Sequence, residues 1–178
     1  VKVVALPMLE DLDEIVALTT EIARELQAVE RGAALVAAFE RQLTEIRASW
    51  PAQRPRALYL SPGGTTAGTG SFGHRVMVEG GSRNIAADEL GKEGWSSIGL
   101  EEAVLAAPDM LVLSFFRKES WSMTQRIRYH TAFQALAGRT PRATVPGETW
   151  ICSAWFLIHA IDAVADGVGR LAGPEAPR

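Results

Sequence analysis

The sequence predicts an α/β fold: a Rossmann-like open, mostly parallel sheet with helices on both faces, preceded by a long helix. Three observations predict it. Short apolar segments alternate with helical segments after residue 56, as in α/β proteins. Segment 110–113 is apolar on both faces, which is typical of a central parallel strand. Apolar residues recur every three or four positions from Ile15 to Trp50.

The first fifty residues predict a strand over 2–6 and then helix. Asp11 or Asp13 provides an N-cap, and Pro51 ends the helical pattern. Gly32 is the one weak point in the apolar stripe. The pattern is therefore compatible with one helix of about 40 residues, which is long against the usual mean, or with two helices separated by a break.

The other predicted elements follow a linker at 51–55. They are strand 57–60, helix 72–78, helix 100–106, strand 110–113, helix 121–136, strand 143–145 and helix 152–168. Strands that alternate with helices in this way are expected to pair in parallel through crossover connections.

Composition limits the function. The chain has 178 residues and a net charge of −3, which does not favour nucleic-acid binding or attraction to anionic membranes. Cys152 is the only cysteine, which excludes an internal disulfide and a cysteine cluster for metal. No apolar run approaches the roughly 18–20 residues of a membrane span. The first residues show no signal-peptide pattern.

A glycine- and threonine-rich loop over residues 61–71 connects the strand at 57–60 to the next helix. Such a position is a common ligand site in α/β proteins, and small residues let a ligand approach the backbone. The loop lacks the P-loop ending and the dinucleotide-binding glycine pattern. A flexible connector is the structural alternative. The candidate binding residues are Ser61, Gly63, Gly64, Thr65 and Thr66.

Several aromatic residues follow predicted strands or precede predicted helices. Trp95, Phe115, Phe116 and Trp150 could line one groove, because the strand ends of a parallel sheet gather at one edge. Trp95 stands in the polar segment 91–97, where an exposed indole indicates a ligand or partner surface. Trp155 is expected in the core.

No catalytic or metal-binding motif emerges from the serines, histidines and cysteine. Ser61 does not lie in a nucleophile elbow, and the histidines lack the spacing of a zinc site. His159 and Cys152 are expected to be structural. The sequence therefore predicts no enzyme active site.

Three segments carry a resemblance to a known family. They are Gly-Gly-Ser-Arg-Asn-Ile-Ala-Ala-Asp at 80–88, Gly-Trp-Ser-Ser-Ile-Gly-Leu-Glu-Glu at 94–102 and Ala-Pro-Asp-Met-Leu-Val-Leu at 107–113. In this order and spacing they resemble the C-terminal lobe of periplasmic substrate-binding proteins. The class is the one that serves ABC importers of iron-siderophores, haem and vitamin B12.

The resemblance implies a domain organisation and a role. Residues 1–52 would be the last strand of the N-terminal lobe and the long interlobe bridging helix, and residues 53–178 the C-terminal α/β lobe. On this resemblance, the rest of the N-terminal lobe and the leader of a family member would lie outside the sequence given. The implied function is periplasmic or lipid-anchored capture of an iron-siderophore, haem or cobalamin, carried as a ligand and not as a cofactor. Delivery would be to an ABC permease in the inner membrane.

By position in the family, the loop residues, Trp95, Phe115, Arg117 and Trp150 face the ligand cleft. Arg117 would pair with a ligand carboxylate or catecholate, or else be a solvated surface arginine. His74 and Tyr59 would be iron ligands if the cargo is haem, or else structural. The family docks on its permease through an acid near the start of the first C-lobe helix, whereas the nearest acid here is Glu79.

Two other functions stay open from the residues alone. One is a small Rossmann-type enzyme that uses loop 61–71 for a phosphate-bearing ligand. The other is a half-length interaction protein with no ligand. An aromatic patch of this kind is unfavourable in water, so we expect self-association through the exposed cleft face.

Overall fold

The computed structural model describes residues 11–115, 127–150 and 154–172, with Trp150 described for its backbone only. The predicted strand 2–6 lies outside these residues. The elements in chain order are α1 (Leu12–Glu25), α2 (Val29–Ala48), β1 (Arg56–Leu60), β2 (Thr65–Ala67), α3 (Phe72–Glu79), β3 (Arg83–Asn84), α4 (Ile85–Asp88), β4 (Trp95–Ser97), α5 (Leu100–Leu105), β5 (Met110–Ser114), α6 (Thr131–Arg139), β6 (Arg142–Val145) and α7 (Ile158–Ala172).

The main sheet has four strands in the order β3-β1-β5-β6, and every pair is parallel. In the central pair, residues 57–60 of β1 lie opposite residues 110–113 of β5. Both strands are buried along their central residues, as the unbroken apolar segments predict. The predicted mostly parallel α/β fold is confirmed.

The two faces of the sheet carry different side chains, and helices cover both. One face carries Ala57, Tyr59, Met110, Val112, Ala143 and Val145, packed with residues of α1, α2, α3 and α7. The other face carries Leu58, Leu60, Leu111 and Leu113, packed with residues of α4, α5 and α6. The alternation follows from the two-residue period of a strand.

The apolar stripe of the first fifty residues forms two helices. Asp11 begins α1 with a capping box, in which Glu14 accepts a hydrogen bond from the Asp11 N–H at 3.1 Å. The break falls at residues 26–28, where Gln27 has a positive φ of 55°. Of the two alternatives, two helices with a break is the one observed, but Gly32 lies inside α2. Whether α2 bridges two lobes stays a prediction.

Gly32 is the contact point between the two helices. An ideal Cβ built on Gly32 would lie only 2.2 Å from the Cβ of Ala23 in α1. The missing side chain therefore lets α1 and α2 approach closely across their three-residue connection, as a helical hairpin.

Several helix boundaries differ from the predicted ones. The last helix starts at Ile158, after a 3-10 turn at Trp155–Leu157, and not at residue 152. Helix α6 starts at Thr131 because His130 caps it: the His130 Nδ1 accepts from the Ala132 N–H at 3.2 Å. Residues 121–126 of the predicted helix lie outside the described residues.

The predicted loop 61–71 contains a strand that the sequence pattern did not indicate. β2 pairs antiparallel with β4, so that Thr65 lies opposite Ser97 and Ala67 opposite Trp95. Three-residue strands are too short to show a periodic pattern in sequence. We call this pair of strands, residues 65–67 and 95–97, the ribbon.

The elements from β1 to α7 are called the lobe below, and helix α2 is joined to the lobe at its C-terminal end. The Arg47 guanidinium donates to both carboxylate oxygens of Glu79 at 2.7 and 2.9 Å. The Trp50 indole N–H donates to the Glu79 carbonyl at 3.0 Å. Together with Phe39, Leu43 and Ile46 in the core, these contacts fix α2 on the lobe.

Candidate functional site

The carboxyl ends of β1, β5 and β6 meet at one edge of the sheet. Ser61 follows β1, Phe115 follows β5, and Gly147 begins a 3-10 turn after β6. The Ser114 hydroxyl donates to the Val145 carbonyl at 2.8 Å and joins the ends of β5 and β6. The parallel topology therefore brings the start of the predicted loop and Phe115 to a shared edge.

Residues 61–65 form a tight turn at this edge. The Ser61 N–H donates to the Thr65 carbonyl at 3.0 Å, and the Thr65 N–H donates to the Ser61 hydroxyl at 3.1 Å. Gly64 has a φ of 75°, a conformation that glycine adopts without strain. Ser61 is buried, Gly63 is exposed, and Gly64 and Thr65 are half-buried. The hydroxyl of Ser61 thus builds the turn.

The rest of the loop also uses its N–H groups internally. Gly68 N–H donates to the Gly94 carbonyl at 2.7 Å, Thr69 N–H to the Lys92 carbonyl at 3.0 Å, and Ser71 N–H to the Gly68 carbonyl at 3.3 Å. A phosphate cradle needs several such groups free and pointing at one anion. The hydrogen bonding of the loop therefore disfavours a phosphate site.

Trp95 stands on β4 as a half-exposed aromatic surface. Its side chain is 50% exposed, and its ring meets that of Tyr59 edge-to-face at 5.6 Å and 70°. Tyr59 lies in β1 and is almost fully buried. Burial raises the pKa of the Tyr59 phenol, so the ring stays neutral at physiological pH. Edge-to-face contact with a fixed ring holds the indole in place.

Phe115 is a second aromatic group at the edge. It has a positive φ of 64° and is 39% exposed. Its ring packs on the backbone of Gly147, where an ideal Cβ would lie 2.5 Å from the Phe115 Cδ1. The part of the Phe115 ring that does not contact Gly147 is exposed at the end of β5.

The two threonines of the ribbon, Thr65 and Thr66, lie on opposite faces of it. Residues opposite each other in an antiparallel pair share a face, so Thr65, Ser97 and Trp95 lie on one side and Thr66 on the other. Thr66 is fully buried, and its hydroxyl makes no hydrogen bond with the described residues. The predicted role of these residues in ligand binding stays a prediction.

The side chains of two predicted binding residues, Arg117 and Trp150, are not described by the structure. Arg117 lies outside the described residues, and so do Phe116 and Cys152. The backbone of Trp150 closes the 3-10 turn after β6 at the same edge. Their predicted roles stay predictions.

Tyr59 and His74, the conditional iron ligands, occupy different environments. The Tyr59 ring is in the core, and His74 is half-buried with its Nδ1 3.1 Å from the Asn84 Nδ2. In the part of the chain that the structure describes, no group of three or more acidic, histidine or cysteine side chains is placed to hold a metal. None of the described helices combines the length and apolar character needed to cross a membrane.

Two supporting contacts were not predicted from the sequence. One is the contact between Tyr59 and Trp95, since the sequence indicates Tyr59 only as an iron ligand or a structural residue. The other is made by Asn84, whose buried amide donates to the Ala67 carbonyl at 2.7 Å and accepts from the Ala86 N–H at 3.1 Å. Asparagine directly before Ile-Ala-Ala is an N-cap pattern, and that pattern could have drawn attention to Asn84.

Comparisons with known proteins agree on a fold. A family model described as periplasmic binding protein matches residues 1–137. A periplasmic heme-binding protein from Roseiflexus sp. RS-1 superposes with a TM-score of 0.73 at 19% identity, covering 92% of this chain and 65% of that chain. No curated protein matches the chain.

Two further solved structures show the same likeness. A periplasmic vitamin B12 binding protein of Vibrio cholerae gives a TM-score of 0.71 at 17% identity, covering 93% of this chain and 64% of that chain. An ABC-type Fe3+-hydroxamate transport system protein from Saccharomonospora viridis gives 0.69 at 19% identity, covering 88% and 56%. This chain thus spans less than two thirds of the length of each of these structures.

Proposed function

This chain belongs to the periplasmic binding protein family, and on that premise we propose that it captures a metal complex for import. The proposed cargo is an iron-siderophore, haem or cobalamin, and the proposed recipient is the permease of an ABC importer. Capture takes place outside the cytoplasmic membrane. The chain binds and releases the complex without chemical change, so no catalytic group is required.

The observation that carries the proposal is the aromatic surface at the strand-end edge. Trp95 is held half-exposed against the buried ring of Tyr59 in β1, and Phe115 is exposed at the end of β5, the strand that pairs with β1. Ligand sites are mostly apolar and aromatic, with few polar groups, and haem and corrinoid rings offer wide faces for such contacts. Three solved structures of the same fold are described as a heme-binding protein, a vitamin B12 binding protein and an Fe3+-hydroxamate transport system.

The hydrogen bonding of the loop supports this role over the phosphate-binding enzyme. The N–H groups of Gly68, Thr69 and Ser71 are bonded to backbone carbonyls and are not directed at a ligand. The loop then acts as a rigid support for the ribbon.

Docking on the permease through the first helix of the lobe is not supported for Glu79. Glu79 is the nearest acid to the start of α3, but its side chain is only 10% exposed and is bound by Arg47. We therefore propose that a permease contacts other groups of this chain.

Isothermal titration calorimetry with haemin, a ferric hydroxamate and cyanocobalamin tests the proposal. We expect one of the three to bind, and Trp95→Ala to weaken that binding by about tenfold, the equivalent of about 1.4 kcal/mol. Trp155→Phe is the matched control, because Trp155 is also partly exposed but packs with Phe156 and His159 near α7. It should bind like the wild type.

Two results would overturn the proposal. The first is no heat of binding with any of the three ligands. The second is equal affinity in the wild type and in Trp95→Ala, which would place the ligand away from the strand-end edge.

A further inference from the structure

A buried asparagine connects the ribbon to two helices. Asn84 is completely buried, and its Nδ2 donates to the carbonyl of Ala67 in β2 at 2.7 Å. Its Oδ1 accepts from the N–H of Ala86 in α4 at 3.1 Å. The same Nδ2 lies 3.1 Å from the Nδ1 of His74 in α3. Since Ala67 pairs with Trp95, this amide holds the part of the ribbon that carries the exposed indole.

The two backbone partners fix the orientation of the Asn84 amide. Only its nitrogen can donate to the Ala67 carbonyl, and only its oxygen can accept from the Ala86 N–H. The nitrogen therefore faces His74, and the His74 Nδ1 must be the acceptor. In this arrangement His74 is neutral and carries its proton on Nε2.

We propose that Asn84 and His74 together position the ribbon, and that protonation of His74 at Nδ1 removes one of the contacts that hold the Asn84 amide, shifts the ribbon and weakens ligand binding. A protonated Nδ1 is a donor that faces the donor Nδ2 of Asn84, so the contact is lost. The amide cannot turn over to offer its oxygen, because it would then lose both backbone partners. The inference rests on the proposed function for its effect on a ligand.

The charged groups around His74 shift its pKa in opposite directions. Burial lowers the pKa of His74 from its ordinary value of 6.5, the Asp88 carboxylate raises it, and the Arg75 guanidinium lowers it. Asp11 and Glu14 of α1 line the same 410 Å³ cavity beside His74. Because the folded state prefers neutral His74, its contribution to stability is complete above pH 6.5 and is lost as the pH falls below that value.

The proposed coupling between Asn84 and His74 is tested by a pH titration of the unliganded protein. The signal followed is the Trp95 indole N–H resonance in a 15N–1H spectrum. Trp95→Phe assigns the resonance by its absence. Between about pH 7.5 and about pH 5 we expect the resonance to shift in one step with a midpoint below the ordinary histidine value. In His74→Gln the step disappears, because the Gln oxygen can accept from Asn84 but does not titrate in this range.

The chain offers two matched controls, since it contains three histidines. His130 also uses its Nδ1 as an acceptor, at the start of α6, and His159 is exposed on α7. His130→Gln and His159→Gln should leave the Trp95 step and its midpoint unchanged. A step that persists in His74→Gln, or no step in the wild type, would overturn the inference.

Asn84→Asp tests the direction of the effect. A carboxylate can only accept, so it would pair with protonated His74 and move the midpoint above 6.5. A midpoint that stays at the wild-type value contradicts the proposed donor–acceptor arrangement. His74→Gln decides the question alone if Asn84→Asp does not fold.

The predicted effect on binding is tested by measuring, at several pH values, the affinity for the ligand that binds in the calorimetric titration. We expect its dissociation constant to rise at least about threefold across the same pH step in the wild type and to stay constant in His74→Gln. If none of the three ligands binds, the proposed function fails while the resonance titration still decides the role of His74. If a ligand binds with no pH dependence, the proposed function stands and this inference fails.

Discussion

The ribbon and the α1–α2 hairpin each bring two chain segments together at a glycine, but different atoms lie against that glycine. An ideal Cβ on Gly68 at the end of β2 would meet the Lys92 carbonyl oxygen at 2.1 Å and the Glu93 nitrogen at 2.6 Å. An ideal Cβ on Gly32 in α2 would meet the methyl group of Ala23 at 2.2 Å. The ribbon is thus fixed by backbone against backbone, and the hairpin by side chain against backbone.

This difference matches what each region does. The ribbon displays Trp95, whose position depends on hydrogen bonds such as Gly68 N–H to the Gly94 carbonyl and Ile98 N–H to the Gly64 carbonyl. Backbone bonds of this kind leave little freedom for the side chain that we propose contacts the ligand, which favours preorganised binding. The hairpin displays no predicted site residue, and we expect that its contact can be exchanged between two side chains.

Gly68→Ala is the change with the largest expected effect. The added methyl group would meet only backbone atoms of residues 92 and 93, which cannot move without separating the two ribbon strands. We expect the free energy of unfolding to fall by about 3 kcal/mol, at the upper end of the usual cost of overpacking. Urea denaturation measures the loss, and the Trp95 indole resonance should move as well.

Gly169→Ala is the matched control for Gly68→Ala. Gly169 lies in α7, and an ideal Cβ there meets nothing within 4 Å. Replacing a helical glycine by alanine should raise stability by up to about 1 kcal/mol. A Gly68→Ala protein that loses less than about 1 kcal/mol would show that the ribbon can adjust, and the comparison would break down.

The main sheet could be predicted from the sequence because the apolar residues of its central strands indicate that both faces of these strands are buried. Segments 57–60 and 110–113 are apolar throughout, and that pattern is typical of a strand covered on both faces. Trp95 could be predicted as an exposed aromatic residue for a similar reason, since its neighbours are polar.

The ribbon could not be predicted, because it depends on hydrogen bonds between segments far apart in sequence. Thr69 pairs with Lys92, and Ala67 with Asn84 and Trp95, and none of these pairings leaves a periodic pattern. The break at 26–28 was obscured in the same way, because Gly32 looks like a helix breaker until Ala23 is placed against it. The contact between Tyr59 and Trp95 likewise requires the position of the ribbon over β1.

Gly32→Ala is expected to have the next largest effect. It tests the contact between the α1 side chain of Ala23 and the α2 backbone at Gly32. Alanine favours a helix interior by about 1 kcal/mol over glycine, so propensity alone predicts a gain. The collision with Ala23 should outweigh it and give a net loss of about 2 kcal/mol in urea denaturation.

Ala23→Gly added to Gly32→Ala tests whether the contact can be exchanged. The double variant places one methyl group and one glycine at the same contact, in reversed positions. We expect a coupling energy of about 1–2 kcal/mol in its favour. Additive losses from the two substitutions would show that α1 and α2 are held apart by something other than this contact.

Arg47→Met has the smallest expected effect and tests how far charge holds the hairpin on the lobe. Arg47 on α2 and Glu79 on α3 form a bidentate pair in which the Glu79 side chain is 10% exposed. Removing the guanidinium leaves a carboxylate in a poorly solvated position. Because Arg47 itself is 48% exposed, we expect a loss of about 1–2 kcal/mol, less than for a fully buried pair.

Arg56→Met is the comparison variant, because Arg56 makes an equally short bidentate pair with Glu89 at 2.8 and 2.7 Å, although it also donates to the carbonyls of Ala106 and Ala107 at 3.0 Å. The Glu89 side chain is 34% exposed, so water can solvate it once the arginine is gone. Arg56→Met should therefore cost less than about 1 kcal/mol, and added salt should reduce that cost further. Equal losses in the two variants would mean that burial of Glu79 is unimportant. The hairpin would then be held on the lobe by the packing of Phe39, Leu43 and Ile46 and by the Trp50 hydrogen bond to the Glu79 carbonyl, in keeping with its side-chain contact at Gly32.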